Sequence, residues 1–359
     1  MLNCYIGPLT ARYLDQLRAS LKERGFRRPV YIMCSNGGVA TAERAARLPV
    51  QTVLSGPAAG VAATVDLGRR LGFPNLIAYD MGGTSTDVCL IQDLVVPVTN
   101  EQFISDFPNR TPQIEINSVG AGGGSIAWLD AGRILKVGPR SAGAAPGPAC
   151  YGRGGVEATV TDANVVLRRL SSGMRLAGGE LAIEDALARG ALERLGGQVG
   201  GIGYEALAEG VVRIAVARMV SAIKEISISK GHDPRDFALV AYGGAGPMHA
   251  ALVADELEIS RVLVPVAPGN FSAYGSLISD LRRDYVRTQL LEASAASFAD
   301  LERAFAAMEA ECREEFEQEG FDPASVVMER ALAMRFAGQA WELPVALAPD
   351  TDSLAKVEA

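Results

Sequence analysis

The chain has 359 residues, of which 48% are apolar and 21% charged, enough for two domains with a sizeable core and too apolar for wholesale disorder. Its net charge of −8 argues against nucleic acid or an anionic membrane as the main partner, and no apolar run reaches transmembrane length. Five scattered cysteines without a Cys-x-x-Cys pair exclude a disulfide framework or structural zinc site and fit a reducing, cytoplasmic compartment, while two histidines exclude a multi-histidine metal centre. The N-terminus carries no basic leader or cleavage site.

Leu9, Tyr13, Leu14, Leu17 and Leu21 predict a helix from Pro8 to about Lys22, with Pro8 in its first turn. Pro29 to Cys34 reads as a buried strand closed by the turn Ser35-Asn36-Gly37-Gly38. A short helix from Thr41, a strand over Val50 to Leu54, the loop Ser55-Gly56-Pro57 and a small-residue helix from Ala58 to Leu71 follow. Leu76 to Ile91 is an apolar run, a polar turn with two carboxylates, and a second apolar run, which predicts a hairpin. Gln113 to Val119 alternates as a strand and runs into Gly120-Ala121-Gly122-Gly123-Gly124-Ser125. A hairpin around Ala131-Gly132, an irregular Gly/Pro-rich loop over Ser141 to Gly155 and a glycine-interrupted helical stretch over 172–203 come next. Tyr204 to about Lys230 is the longest periodic helix. Phe237 to Tyr242, Gly243-Gly244-Ala245-Gly246-Pro247 and Met248 to Leu257 predict strand, tight turn and helix. Another strand over Arg261 to Val266 and a helix opening at Pro268-Gly269-Asn270 complete an α/β pattern. Beyond about Tyr285, a charged helix to about Gln318 and strands around Met328 to Phe336 and Trp341 to Leu347 read as part of a second domain, with a new helix starting near Ala359.

The turn Asp80-Met81-Gly82-Gly83-Thr84-Ser85-Thr86-Asp87 carries the strongest chemical signal. Glycine N–H groups approach a phosphate closely, and hydroxyls and carboxylates hold a hydrated Mg²⁺ or another divalent cation. The layout resembles the nucleotide-binding hairpin of actin, sugar kinases and Hsp70, and differs from a P-loop, which needs Gly-Lys-[Ser/Thr] opening a helix. Asp80 and Asp87 are the candidate catalytic and metal-binding carboxylates. Gly82, Gly83, Thr84 and Thr86 are candidate phosphate contacts, with the N–H groups of Gly82 and Gly83 and the Thr84 hydroxyl on β/γ-phosphate oxygens. Downstream of such a hairpin, Gly243, Gly244 and Gly246 read as the loop against which adenosine lies. Gly120 to Ser125 is either an N–H nest for an anion or a place where two backbones cross. His249 reads as a packing or capping histidine, Asp162 as a helix cap, His232-Asp233-Pro234 as a helix-ending turn and the Arg282-Arg283 pair as a solvated turn. Cys34 and Cys89 read as buried; Cys150 reads as exposed in its loop, with no base beside it.

Together with these runs, Leu54 to Gly60, Pro146 to Gly152 and Thr161-Asp162-Ala163-Asn164 resemble, in order and across residues 1–285, the hydantoinase A/5-oxoprolinase family; Arg335 to Gln339 resembles its C-terminal domain. The resemblance implies an actin/Hsp70-like (ribonuclease H-like) ATPase core over 1–285 and an incomplete C-terminal domain over 286–359. It implies ATP and Mg²⁺ as cofactors, a hydantoinase B-like partner subunit, and opening of a cyclic amide (hydantoin or 5-oxoproline) by phosphoryl activation of a carbonyl oxygen. Ketone carboxylation of the acetone or acetophenone type, or a non-catalytic assembly role, are its alternatives. The family places a further phosphate-loop domain before the segment matched here, so the chain is expected to be a fragment that turns over poorly alone. The family commonly has aspartate before Pro146, where this chain has Ala145.

Overall fold

Strands Leu76–Met81 and Thr86–Ile91 pair antiparallel, with Met81 opposite Thr86 and Leu76 opposite Ile91, and form the predicted hairpin. The computed structural model describes residues 2–104, 107–176, 179, 181–292, 295–339 and 342–348, in two units, Met1–Arg282 and Arg283–Ala359. In the first unit the hairpin is the middle of a five-stranded sheet ordered Val262–Leu263, Ala238–Tyr242, Leu76–Met81, Thr86–Ile91, Asn117–Val119. The first three strands are parallel; the last two run antiparallel to their neighbours.

The strand period of two sends alternate residues into separate cores. Ile77, Tyr79, Met81, Val88 and Leu90 pack with helices Tyr204–Ile226 and Gly246–Leu257. Leu76, Ala78, Cys89 and Ile91 pack with helices Ser55–Leu71 and Phe271–Ile278. Because both faces are covered, the strands read as continuous apolar runs. The second pair of helices meets backbone to backbone: a Cβ added at Gly275 would stand 1.8 Å from the Ala59 carbonyl oxygen. Helix Tyr204–Ile226 buries eleven residues, each worth about 1.5–3 kcal/mol for the larger aliphatic side chains. Among the described residues no helix is long and apolar enough to cross a membrane.

Several elements differ from the sequence expectation. The first helix spans Leu2–Glu23 with Pro8 inside it, because Asn3 anchors the preceding turn through bonds to the Arg47 carbonyl and the Val50 N–H. Pro29 to Cys34 yields only strand Tyr31–Met33, paired with Val39–Thr41 in a small separate hairpin. The strand expected over Val50 to Leu54 is a 3₁₀ turn, Pro49–Thr52: Pro49 presets φ and the Thr52 hydroxyl bonds back to the Pro49 carbonyl. Helix Ser55–Leu71 takes in Pro57 in its first turn, where a missing N–H costs nothing. The run Gln113 to Val119 splits, Gln113–Ile114 pairing with Val98–Thr99 and only Asn117–Val119 reaching the main sheet. The stretch 172–203 opens with a two-residue ladder, Arg175–Leu176 on Leu181–Ala182, before helix Asp185–Gln198. Pro265 limits the predicted strand Arg261 to Val266 to Val262–Leu263.

In the second unit the described elements are helix Ala295–Gln318, the 3₁₀ turn Pro323–Ser325 and the antiparallel strands Arg330–Met334 and Leu343–Leu347. Arg283 is not in a solvated turn. Its side chain is 1% exposed, paired with Glu315 and Glu319 and stacked 4.2 Å from the Phe316 ring centroid. Trp341 and the helix expected near Ala359 lie outside the described residues.

Candidate functional site

Asp80 is the penultimate residue of the first hairpin strand and Asp87 the second residue of the other, and the register sets them directly opposite each other. The next register step sets Asp87 opposite Ser118, so the three side chains share one sheet face. From helix Phe271–Ile278 on that side, the Ser272 hydroxyl donates to Asp80 Oδ2 at 3.3 Å. Burial, then the Asp87 charge, push Asp80 from its ordinary 3.8 up to about 6, against the pull of the Ser272 hydroxyl. Burial raises Asp87 as well, against the hydroxyls of Ser118 and Ser85, and its buried Oδ1 has no protein partner.

Two half-buried carboxylates facing each other are unfavourable until a cation lies between or beside them. The orphaned Asp87 oxygen and an all-oxygen set of carboxylates and hydroxyls fit a hard divalent cation that keeps part of its water shell. Among the described residues no group of three or more His, Cys, Asp or Glu side chains is placed to hold a metal.

The turn between the carboxylates is held from behind. Its exposed tip is Gly83 and Thr84. The Gly82 N–H is spent inside the turn on the Ser85 carbonyl, which takes it out of the expected phosphate contacts. Thr86 drops out for a similar reason: it is fully buried and its hydroxyl donates to the Ala121 carbonyl. Gly120 to Ser125 is where two backbones cross. Gly123 and Gly124 N–H groups donate to the Gly82 and Gly83 carbonyls at 3.0 and 2.6 Å, and a Cβ at Gly122 would stand 2.6 Å from Thr84 backbone atoms.

The loop Gly243–Gly246 closes the other side. Gly243 has φ +81°, and a Cβ there would stand 2.3 Å from Asp80 Oδ1 and 2.5 Å from the Met81 carbonyl oxygen. Gly246 lies buried against the first hairpin strand, while Gly244 is exposed. The Ala245 N–H donates to the Met81 carbonyl at 2.9 Å.

His249 and Asn164 join these loops into a ring of hydrogen bonds. From Gly82, the ring passes through Gly123 to Thr161, whose N–H and hydroxyl both donate to the Gly123 carbonyl. Three residues on, the Asn164 carboxamide meets His249 Nε2 at 3.1 Å; His249 Nδ1 lies 3.0 Å from the Ala245 carbonyl, and Ala245 returns to Met81. The partners assign the proton to Nδ1, leaving Nε2 as acceptor. Burial holds the His249 pKa below its ordinary value, so the ring is a neutral structural link.

The N-cap of helix Val160–Val166 is Thr159, not Asp162; Asp162 is the third helical residue of a capping box, its carboxylate accepting from the Thr159 N–H and hydroxyl. It also accepts from the N–H groups of Ala149 and Cys150, pinning the loop Pro146 to Gly152. Asp162→Ala is expected to cost at least about 3 kcal/mol, because several buried donors lose their acceptor; a urea-unfolding midpoint unchanged from wild type would overturn this. Cys150, expected to be exposed, is fully buried, and burial pushes its thiol well up, which makes it inert. Ala145 is exposed on the loop that hangs from Gly124 through the Ala142 N–H. Ser272 and Ser118 escaped the sequence reading: each is a small polar residue in an apolar element, with no local motif to mark it.

A model of the family described as hydantoinase/oxoprolinase matches residues 1–285. The chain belongs to the hydantoinase/oxoprolinase family. Caprolactamase subunit alpha of Pseudomonas jessenii is 36% identical over 98% of this chain and 51% of its own length; 5-oxoprolinase 1 of Arabidopsis thaliana is 33% identical over 94% of this chain and 28% of its own. Among solved structures, nucleotide-free acetone carboxylase superposes with a TM-score of 0.77 at 27% identity, covering 96% of this chain and 49% of that one. The ATP-dependent caprolactamase from Pseudomonas jessenii superposes with a TM-score of 0.75 at 34% identity, covering 99% and 52%. The chain thus spans about half the length of several relatives it matches, and less of the plant 5-oxoprolinase.

Of the hydantoinase/oxoprolinase motifs, the structure brings together the Asp80 hairpin, Gly120 to Ser125, Thr161 to Asn164 and Tyr242 to His249, with Pro146 to Gly152 attached through Asp162. Ser35 to Gly38 does not join them; it closes its own small hairpin and bonds to Gln51 and Ile114.

Proposed function

We propose that the chain is the nucleotide-handling core of an ATP-dependent amidohydrolase that opens a cyclic amide. The observation that carries this reading is the opposed Asp80–Asp87 pair with its orphaned oxygen, beside a turn whose Gly83 and Thr84 remain exposed. The strand order supports an actin/Hsp70-like core: on one side of the central strand each successive pairing is antiparallel, and on the other side each is parallel. The hydantoinase/oxoprolinase membership, and relatives named caprolactamase and 5-oxoprolinase, support the cyclic amide as substrate class.

Asp80 and Asp87 would hold Mg²⁺, which when bound offsets phosphate charge. The backbone at Gly83 and Thr84 binds phosphate oxygens of ATP, and Gly243 and Gly244 line the adenosine side. Transfer of the γ-phosphoryl group from ATP to the substrate carbonyl oxygen releases ADP; water then adds to the activated carbon, the C–N bond opens with the nitrogen leaving as the amine, and a second water releases phosphate from the resulting acyl phosphate. Such chemistry calls for positioning and charge stabilisation more than for a strong nucleophile. Relatives named as subunits support a partner chain of the hydantoinase B type.

Calorimetry is expected to show Mg·ATP binding; turnover by the chain alone is expected to be poor, and with a hydantoinase B-type partner present, added hydantoin, 5-oxoproline or caprolactam is expected to raise ADP release above the basal rate. The acetone carboxylase superposition favours a second reading, ketone carboxylation. ADP release that requires a ketone and bicarbonate, and ignores lactams, would move the assignment there. Absence of Mg·ATP binding would overturn both and leave an assembly role.

A further inference from the structure

We infer that Ser272 is a positioning residue, set by its helix to fix the orientation of the Asp80 carboxylate. The inference rests on the metal–nucleotide reading of Asp80. The two Asp80 oxygens are approached by different elements. Oδ2 takes the Ser272 hydroxyl at 3.3 Å, and Oδ1 lies where Gly243 would carry a side chain, 2.3 Å from the position of its Cβ. A donor on one oxygen and a glycine backbone beside the other leave the carboxylate little rotational freedom.

The helix that delivers Ser272 is anchored at nearly every residue of its first turn. Phe271 packs on Tyr242 with ring centroids 4.9 Å apart. The Tyr274 hydroxyl donates to Asp66 Oδ2 and accepts from Arg70 Nη2, each at 2.8 Å. Gly275 crosses the Ala59 backbone, with no room for a Cβ. Ser272 stands among these anchors and is the residue of that turn that reaches the carboxylate.

A hydroxyl suits this role better than a cationic side chain. It orients the carboxylate and favours its charged form without supplying the positive charge that a metal ion would bring. At 3.3 Å the bond is long for O–H···O, so its strength lies at the weak end for a charged acceptor.

The test compares Ser272→Ala and Ser272→Thr in the whole 359-residue chain, by Mg·ATP calorimetry and thermal unfolding. Ser272→Ala is expected to weaken Mg·ATP binding about 10-fold, the weak end of the range for a hydrogen bond to a charged group, as its 3.3 Å length implies. Ser272→Thr keeps the hydroxyl and should bind within about twofold of wild type. Both should unfold within about 2 °C of wild type, since a polar contact this loose adds little to the fold. If Thr proves as damaging as Ala, or if Ala lowers the unfolding temperature without changing binding, the positioning role is overturned. Asp80→Asn separates the two layers of the argument. If it binds Mg·ATP like wild type, the reading of Asp80 itself fails; if it loses binding while Ser272→Ala does not, only the role of Ser272 fails.

Discussion

Asp80→Asn is expected to weaken Mg²⁺-dependent nucleotide binding by about 100-fold or more, because a charged ligand at the centre of the site becomes neutral. The same substitution should make the ligand-free protein more stable. Burial and the opposing Asp87 hold the Asp80 carboxyl at about 6 when folded, against 3.8 ordinarily. Between those pH values the folded protein keeps a proton that the unfolded chain has released. Stability therefore falls as pH rises through that window, and the cost is fully present above about pH 6. Its size is of order 1–3 kcal/mol, and Asn removes it. Thermal unfolding of both proteins without divalent cations should show nearly equal midpoints at about pH 4. The variant should gain through the window and hold a constant lead above it. A lead that does not change with pH would mean that Asp80 and Asp87 do not sense each other or their burial.

Gly243→Ala is expected to damage fold and site together. Alanine at φ +81° costs about 1–2 kcal/mol by itself. The added methyl would also meet Asp80 Oδ1 and the Met81 carbonyl at 2.3 and 2.5 Å, and Met81 belongs to the hairpin while its carbonyl also accepts from Ala245. Relief requires the loop and hairpin to separate, so the total loss should be about 2–4 kcal/mol, with nucleotide binding abolished. Gly244→Ala, exposed and with nothing within 4 Å of the new Cβ, should leave the urea midpoint near wild type. Equal midpoints for the two variants would show that Gly243 is not pressed against Asp80.

The hairpin was legible in sequence because two apolar runs bracket a turn with a carboxylate at each end, and both signals are local. The parallel strand Ala238–Tyr242 was legible for the same reason: a short apolar run stopped by glycines. Strands of two or three residues were not, since alternation over so short a span does not distinguish strand from turn, and Pro49 and Pro265 decided those cases. The glycines at 120–124 announced a close approach without naming what approaches. Their partners, Gly82, Gly83 and Thr84, are tens of residues away. Ser272 lies 192 residues from Asp80, so only the finished fold makes them neighbours. Thr86 looked like part of the turn chemistry because its neighbours are; strand alternation turned its side chain inward.

The ring through Gly82, Gly123, Thr161, Asn164, His249, Ala245 and Met81 bears on how the site comes into being. Its links include Asn164 to His249, 85 residues apart in sequence, and the return from Ala245 to Met81, farther apart still. Contacts of that kind are expensive in loop-closure entropy and tend to form late. The hairpin pairs adjacent strands and has local access to its own register, whereas the contacts that hold its end, at Met81, Gly82 and Gly83, come from distant loops. A chain with only the hairpin formed would lack the loop contacts at Met81, Gly82 and Gly83, so a nucleotide bound as proposed would stabilise it only once those loops are in place.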